Sequence, residues 1–147
     1  VHRTFLAADG KGKAALQAAR KTLGSWPGGL CPVHRGPTGR RVRDMVPGET
    51  VAIGEGLEEG LSIALVKPEW RVLSCLYVAN FSQVRFPVKV RLMLCPNNDP
   101  AGSRAADAFR RAVMRLREAG HSVQVIRPPA GHKDWNDYLQ AVLDGRA

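Results

Sequence analysis

The sequence predicts an α/β fold built on a mainly parallel sheet, and three observations lead to it. After Pro47-Gly48 the chain alternates short β-type runs with segments of helical periodicity, joined by short loops. The apolar run Val90-Arg91-Leu92-Met93-Leu94-Cys95 empties through Pro96-Asn97-Asn98-Asp99 towards a helix. Open α/β sheets hold their ligands at this carboxyl edge. Short polar residues also follow the other runs, so one edge collects the side chains that could do chemistry.

The elements follow in order. Residues 1–6 read as a short strand and Asp9-Gly10 as the turn that starts a hairpin. The alanine-rich stretch 13–23 predicts a short helix before Gly24, and Trp26-Pro27-Gly28-Gly29 breaks the pattern. Residues 30–33 suit a short edge strand, because Pro32 has no N–H for a ladder. A polar loop with Arg40, Arg41 and Arg43 fills 36–46. The expected division is a small basic β-rich lobe over 1–48 and an α/β domain over 49–147.

In the α/β part, the strands are expected at 50–53, 71–78, 88–95 and 122–126, giving a four-stranded sheet. Leu57, Leu61, Ala64 and Leu65 recur at helical spacing until Pro68 stops that helix. A second helix opens after Asp99, with Ala105, Phe109, Ala112, Val113 and Leu116 on one stripe, Arg115 and Arg117 in its last turn and Gly120 as terminator. A third covers 136–143.

Composition narrows the function classes. The 147 residues suit one domain with a modest appendage, and no apolar run approaches the length of a membrane span. No secretory signal is visible, and a cytoplasmic setting is expected. With valine as residue 1, the chain is expected to be a piece of a longer polypeptide or a processed product. Cys31, Cys75 and Cys95 are odd in number and far apart, and Cys31 with His34 lacks a second pair, which argues against a zinc site or a disulfide framework. The net charge of +9 concentrates at the front. Such an excess fits a polyanionic partner or a solvated surface.

Three acidic groups follow separate strands: Glu55 between two glycines, Asp99, and Asp134 with Asp137. On a parallel sheet they collect at one edge, as a hard divalent cation such as Mg²⁺ requires. Each also has a structural reading, Glu55 as a turn carboxylate and Asp99 and Asp134 as helix caps.

Gly54-Glu55-Gly56, Asn97-Asn98-Asp99-Pro100-Ala101-Gly102 and Lys133-Asp134-Trp135-Asn136-Asp137, in that order, resemble the Toprim domain of topoisomerases and primases, closest to primase-like Toprim proteins of phages and mobile elements. The resemblance covers 50–143. It implies a Rossmann-like sheet, Mg²⁺ or Mn²⁺ as cofactor, and Mg²⁺-dependent nucleotidyl or phosphoryl transfer on nucleic acid. It also implies catalytic roles for Glu55 and Asp99, and metal binding by Glu55, Asn97, Asp99 and Asp134. Asn97 stands where the family has the first aspartate of its D-x-D pair, and Glu58, one helical turn past Glu55, either restores the lost charge or is simply solvated.

In the primase reading, Arg3, Lys11, Lys13, Arg20, Lys21 and Lys133 contact nucleic acid. Single-stranded DNA and nucleoside triphosphates are the expected partners, with a replicative helicase beside them. Topoisomerase chemistry needs a nucleophilic tyrosine, whereas Tyr77 and Tyr138 read as packing residues in a strand and a helix. A Toprim nucleic-acid-binding module without catalysis and a Mg²⁺-dependent nuclease are the alternatives.

Overall fold

A computed structural model describes residues 2–145. Its centre is the buried strand β4 (Thr50–Gly54), with β5 (Arg71–Ser74) and β6 (Arg91–Cys95) parallel to it on either side. The strand β7 (Ser122–Val125) extends the sheet beyond β6 in the same direction, and β3 (Cys31–Arg35) closes the other side antiparallel to β5. The spatial order is β3-β5-β4-β6-β7.

Both faces of the sheet are covered, and the period of two along each strand decides which residue faces which layer. Val51, Ile53, Leu73, Leu92 and Leu94 pack with Phe81, Phe109, Ala112 and Leu116 on one side. That side carries α2 (Arg104–Glu118) and the 3-10 segment Val78–Gln83. Ala52, Val72 and Cys95 face the other layer, formed by α1 (Leu57–Val66) and α3 (Trp135–Leu143), where Ile63, Trp70 and Trp135 join them. Among the described residues no helix is long and apolar enough to cross a membrane.

The sheet has five strands rather than the expected four, the fifth being β3 from the front segment. All four residues of β5 are buried, so an unpaired edge there would strand backbone N–H and C=O groups away from water. β3 supplies their partners, and the register shifts between Pro32 and His34, where proline cannot donate.

No helix forms over 13–23. Instead β1 (His2–Thr4) pairs antiparallel with β2 (Arg20–Thr22), and Phe5 and Ala7 bond to Ala19 and Gly12 across the hairpin. A helix of about ten residues is marginal in water without a buried face, and this alanine-rich stretch offers none. The expected turn is present, with Gly10 at φ 70° and its N–H on the Ala7 carbonyl.

The strand expected over 71–78 stops at Ser74. Leu76 takes φ 66°, a conformation few bulky residues adopt, and turns the chain into the 3-10 segment. Tyr77 therefore lies past the strand, not within it. Asn80 pins this turn: its Nδ2 donates to the Gly29 and Cys75 carbonyls at 2.7 and 3.0 Å, and its Oδ1 accepts from the Gly28 N–H at 2.7 Å. The residue is fully buried. Asn80→Ala is expected to destabilise the fold by about 3 kcal/mol, since three buried backbone groups lose their partner at about 1 kcal/mol or more each. Urea denaturation reads this directly, and a loss below about 1 kcal/mol would show that the bonds are dispensable.

Candidate functional site

The carboxyl ends of β4, β6 and β7 open into a cleft of about 650 Å³. Glu55 enters it from the turn after β4. Asn97 follows β6, and Lys133, Asp134 and Asn136 come from the segment that leads into α3. The hairpin closes the opposite wall with Lys11, Lys13 and Arg20. Segments far apart in sequence thus converge, as parallel strands ending at one edge require.

Local bonding fixes these positions. Asn98 donates its N–H to the Lys133 carbonyl at 2.8 Å and its Nδ2 to the His132 and Pro128 carbonyls at 2.8 and 3.1 Å, tying the loop before α3 to the end of β6. Ser74 Oγ donates to the Glu55 carbonyl at 3.0 Å and accepts the Leu76 N–H at 3.2 Å, so the unusual Leu76 backbone and the Glu55 turn are held by one hydroxyl. Leu76 itself lines the cleft. A bulky residue held at positive φ costs on the order of 1–3 kcal/mol, and such outliers concentrate at functional sites.

Glu55 has its pKa raised from 4.5 to about 7. Desolvation is the main cause, and the neighbouring charges of Asp99 and Glu59 add to it; a backbone N–H at Val78 and the Lys133 ammonium pull the other way. A carboxyl group at this value can give or take a proton near neutral pH. Glu59 is also pushed up by burial, and its Oε2 has no hydrogen-bond partner. Asn97 Oδ1 is buried and unpartnered as well.

The expected site residues divide. Lys11, Lys13, Arg20, Glu55, Asn97, Lys133 and Asp134 line the cleft together. Asp99 acts on Glu55 through its charge, but it lines a separate hollow of about 620 Å³ on the α2 side, with Phe109, Arg110, Arg117 and Arg127. It is not a helix cap. Pro100 to Gly102 form a turn with Gly102 at φ 79°, and α2 starts at Arg104 under Ser103, whose Oγ accepts the Ala106 N–H at 3.1 Å.

Asp134 does cap α3, with Oδ1 accepting the Asp137 N–H at 2.8 Å. One of its oxygens is thereby committed. Glu58 stands on the cleft wall in an ion pair with Arg20 at 2.6 Å, both about 40% exposed. Arg3 and Lys21 face each other across the hairpin outside the cleft.

Glu59 and Asn98 were not singled out as site residues from sequence. Glu59 is one of two adjacent glutamates at a helix start, where solvated acids are common. Asn98 sat inside the quoted motif, but its role depends on carbonyls about thirty residues downstream that only folding brings near.

Among the described residues no three His, Cys, Asp or Glu side chains gather closely enough to form a metal cluster. The donor chemistry of the cleft nevertheless fits Mg²⁺, which usually takes one or two carboxylates and completes its shell with water and substrate phosphate. Glu55 supplies such a carboxylate, and the unpartnered Asn97 oxygen is a further hard donor.

A family model described as the Toprim domain matches residues 50–145. No curated protein and no solved structure matches the chain. The matched span begins at β4 and runs through α3, so it contains Glu55, Asn97, Asp99 and Asp134 in the order set out above. On that match the chain belongs to the Toprim family, a domain family with nucleic-acid-related, Mg²⁺-binding function.

Proposed function

We propose that this domain is a primase-type nucleotidyltransferase that joins nucleoside triphosphates on a single-stranded DNA template. The observation that carries the reading is Glu55. A carboxyl group poised near pH 7 faces a cleft whose other wall bears Lys11, Lys13 and Arg20. Bound Mg²⁺, held by Glu55 and Asn97 with Asp99 adding negative charge nearby, would neutralise phosphate charge and lower the cost of an attacking alkoxide.

The chain's own groups do the rest. Glu55, in its unprotonated form, takes the proton from the primer 3′ hydroxyl, whose oxygen bonds to the α-phosphorus of the incoming nucleoside triphosphate as the bond to the departing pyrophosphate breaks. Lys133 meets a substrate phosphate as a compact point charge, and Asn98 positions it through the loop it ties down. Lys11 and Lys13 hold template phosphates along the hairpin wall. Arg3 and Lys21 stand directly opposite on β1 and β2, and such like-charge pairs are unfavourable unless an anion lies between or over them.

The division of labour therefore follows charge, with residues 1–48 gripping template and 49–147 carrying chemistry. The likeness to phage and mobile-element primases, a cytoplasmic setting and work beside a replicative helicase belong to this reading and rest on the motif resemblance. Primer synthesis on single-stranded DNA with Mg²⁺ or Mn²⁺ tests it. Labelled products that need nucleoside triphosphates support it, whereas nicking of the template without them would indicate the nuclease chemistry of the same edge.

A binding module without catalysis is the second reading, favoured by Asn97, whose amide brings no negative charge to the edge. Asn97→Asp separates the two. Adding an anionic oxygen to the edge is expected to tighten Mg²⁺ binding about tenfold or more, while in EDTA the new charge repels Asp99 and Glu55 and lowers the melting temperature. Melts with and without millimolar Mg²⁺ read both signs. A variant no more Mg²⁺-responsive than the parent would leave the binding module as the function.

A further inference from the structure

The arginines of the 36–46 loop have no part in the cleft, and the fold puts them at the far end of the sheet. Arg35 pairs in register with Arg71, the first residue of β5, while Ser74 at the other end of β5 lies beside Gly54, next to Glu55. The loop that follows Arg35 is thus at the amino edge of the parallel strands. There Arg35, Arg40, Arg41 and Arg43 surround a hollow of about 240 Å³ whose apolar lining includes Pro32 and Val42.

The loop is a built structure. Arg71 is buried, pairs with Glu49 at 2.7 Å, and donates Nη1 to the Arg40 carbonyl at 2.8 Å and Nη2 to the Thr38 hydroxyl at 3.4 Å. The loop backbone is therefore fastened from below while its arginine side chains stay exposed. Among the described residues, the side chains of Arg35, Arg40 and Arg41 make no hydrogen bond or ion pair, and the one acid beside Arg43 is Asp44 at 3.8 Å.

We infer that this arginine loop is a second phosphate-binding surface, which holds the backbone of the nucleic-acid strand whose other part lies in the Glu55 cleft. Guanidinium forks match phosphate oxygens in pairs, and three of them on a fastened loop beside Arg35 at the end of β3 give up little conformational freedom on binding. No aromatic side chain lines the hollow, so the contact is with backbone phosphates and carries no base preference. An acidic peptide fits less well, because protein partners of useful affinity seat a large apolar anchor, and this hollow offers only Pro32 and Val42.

The two sites lie one strand length apart. Five residues of β4 at about 3.3 Å each give roughly 16 Å. A strand stacked as in a duplex, at about 3.4 Å per nucleotide, bridges them with roughly five nucleotides. The inference rests on the nucleic-acid reading proposed above, but its test is independent of catalysis.

The experiment is fluorescence-anisotropy binding in EDTA across a salt series, using single-stranded DNA of about 20 nucleotides and of about four, with the parent chain and the triple variant R40Q/R41Q/R43Q. The longer strand is expected to lose about tenfold or more in affinity, and its slope of log K against log salt to fall by about two, at about 0.7 for each phosphate contact removed. The short strand, which engages one site at a time, should lose less than the longer one. Arg43→Gln alone should remove about one third of the slope change, which serves if the triple variant folds poorly. Phenylglyoxal labelling of the parent chain, with and without the longer strand, should show protection at Arg40, Arg41 and Arg43.

An unchanged slope, an equal loss on the short strand, absent protection, or no binding by the parent chain each overturns the inference. Primer synthesis that continues while the slope stays unchanged removes this inference alone. A reduced slope without any primer synthesis removes the primase reading and keeps this surface.

Discussion

Replacing Glu55 by glutamine is expected to cut nucleotidyl transfer by about 10²- to 10⁴-fold, the usual contribution of a placed proton-transfer group. The same substitution should stabilise the protein at alkaline pH. The folded-state pKa of about 7 lies above the unfolded value near 4.5. Between those values the native state keeps a proton that the unfolded chain has released, so stability falls as pH rises from about 4.5 to about 7 and the full penalty persists above.

Because Glu55 is only partly buried, solvent screening reduces the penalty to on the order of 1–2 kcal/mol. Glutamine carries no such term. Urea melts in EDTA at pH 5 and pH 8 should therefore show parent and variant converging at the lower pH and the variant ahead at the higher. Equal pH dependence in the two proteins would mean that Glu55 is not held in a desolvated site, and the mechanism would lose its base.

Arg71→Ala should be the most destabilising single change at the opposite edge, at about 3–5 kcal/mol, because it leaves the Glu49 carboxylate nearly buried without its cation. Such a loss is a large share of the roughly 5–15 kcal/mol that hold a domain of this size. It also frees the Thr38 hydroxyl and the Arg40 carbonyl, so the loop above loses its fastening. Replacing both partners, Arg71→Met with Glu49→Leu, should recover most of the stability, since no buried charge is then left alone. Denaturant midpoints of the single and double variants check this. A single-variant loss below about 1 kcal/mol would show that the pair is not what anchors the loop.

The parts of the fold that were legible in the sequence are those with local causes. The stripe on α2 follows from spacing alone, and Phe109, Ala112 and Leu116 are the residues it buries. Lys67 ends α1 just before Pro68, and Gly120 at φ 85° follows the end of α2. The motif order placed Glu55 and Asn97 at one edge because parallel strands leave their carboxyl ends together. Asp99 was legible as an acidic residue of that edge, and its charge does bear on Glu55, but its place in the lining of the hollow beside α2 was not legible. Gly102 at φ 79° delays the helix to Arg104, so Asp99 precedes a turn and not the helix itself.

The sequence by itself determined the strand and helix periodicities, the charged edge and the family, because each is written in neighbours a few residues apart. Tertiary structure alone decided that 13–23 is half of a hairpin, that Cys31–Arg35 completes the sheet, and that Asn98 holds the Lys133 loop. In those cases the backbone groups and side chains find their partners far along the chain, and these non-local bonds outweigh the weak local preference of a short segment. The pKa of Glu55 belongs to the same class, since burial and the charge of Asp99 act on it only once the sheet has formed.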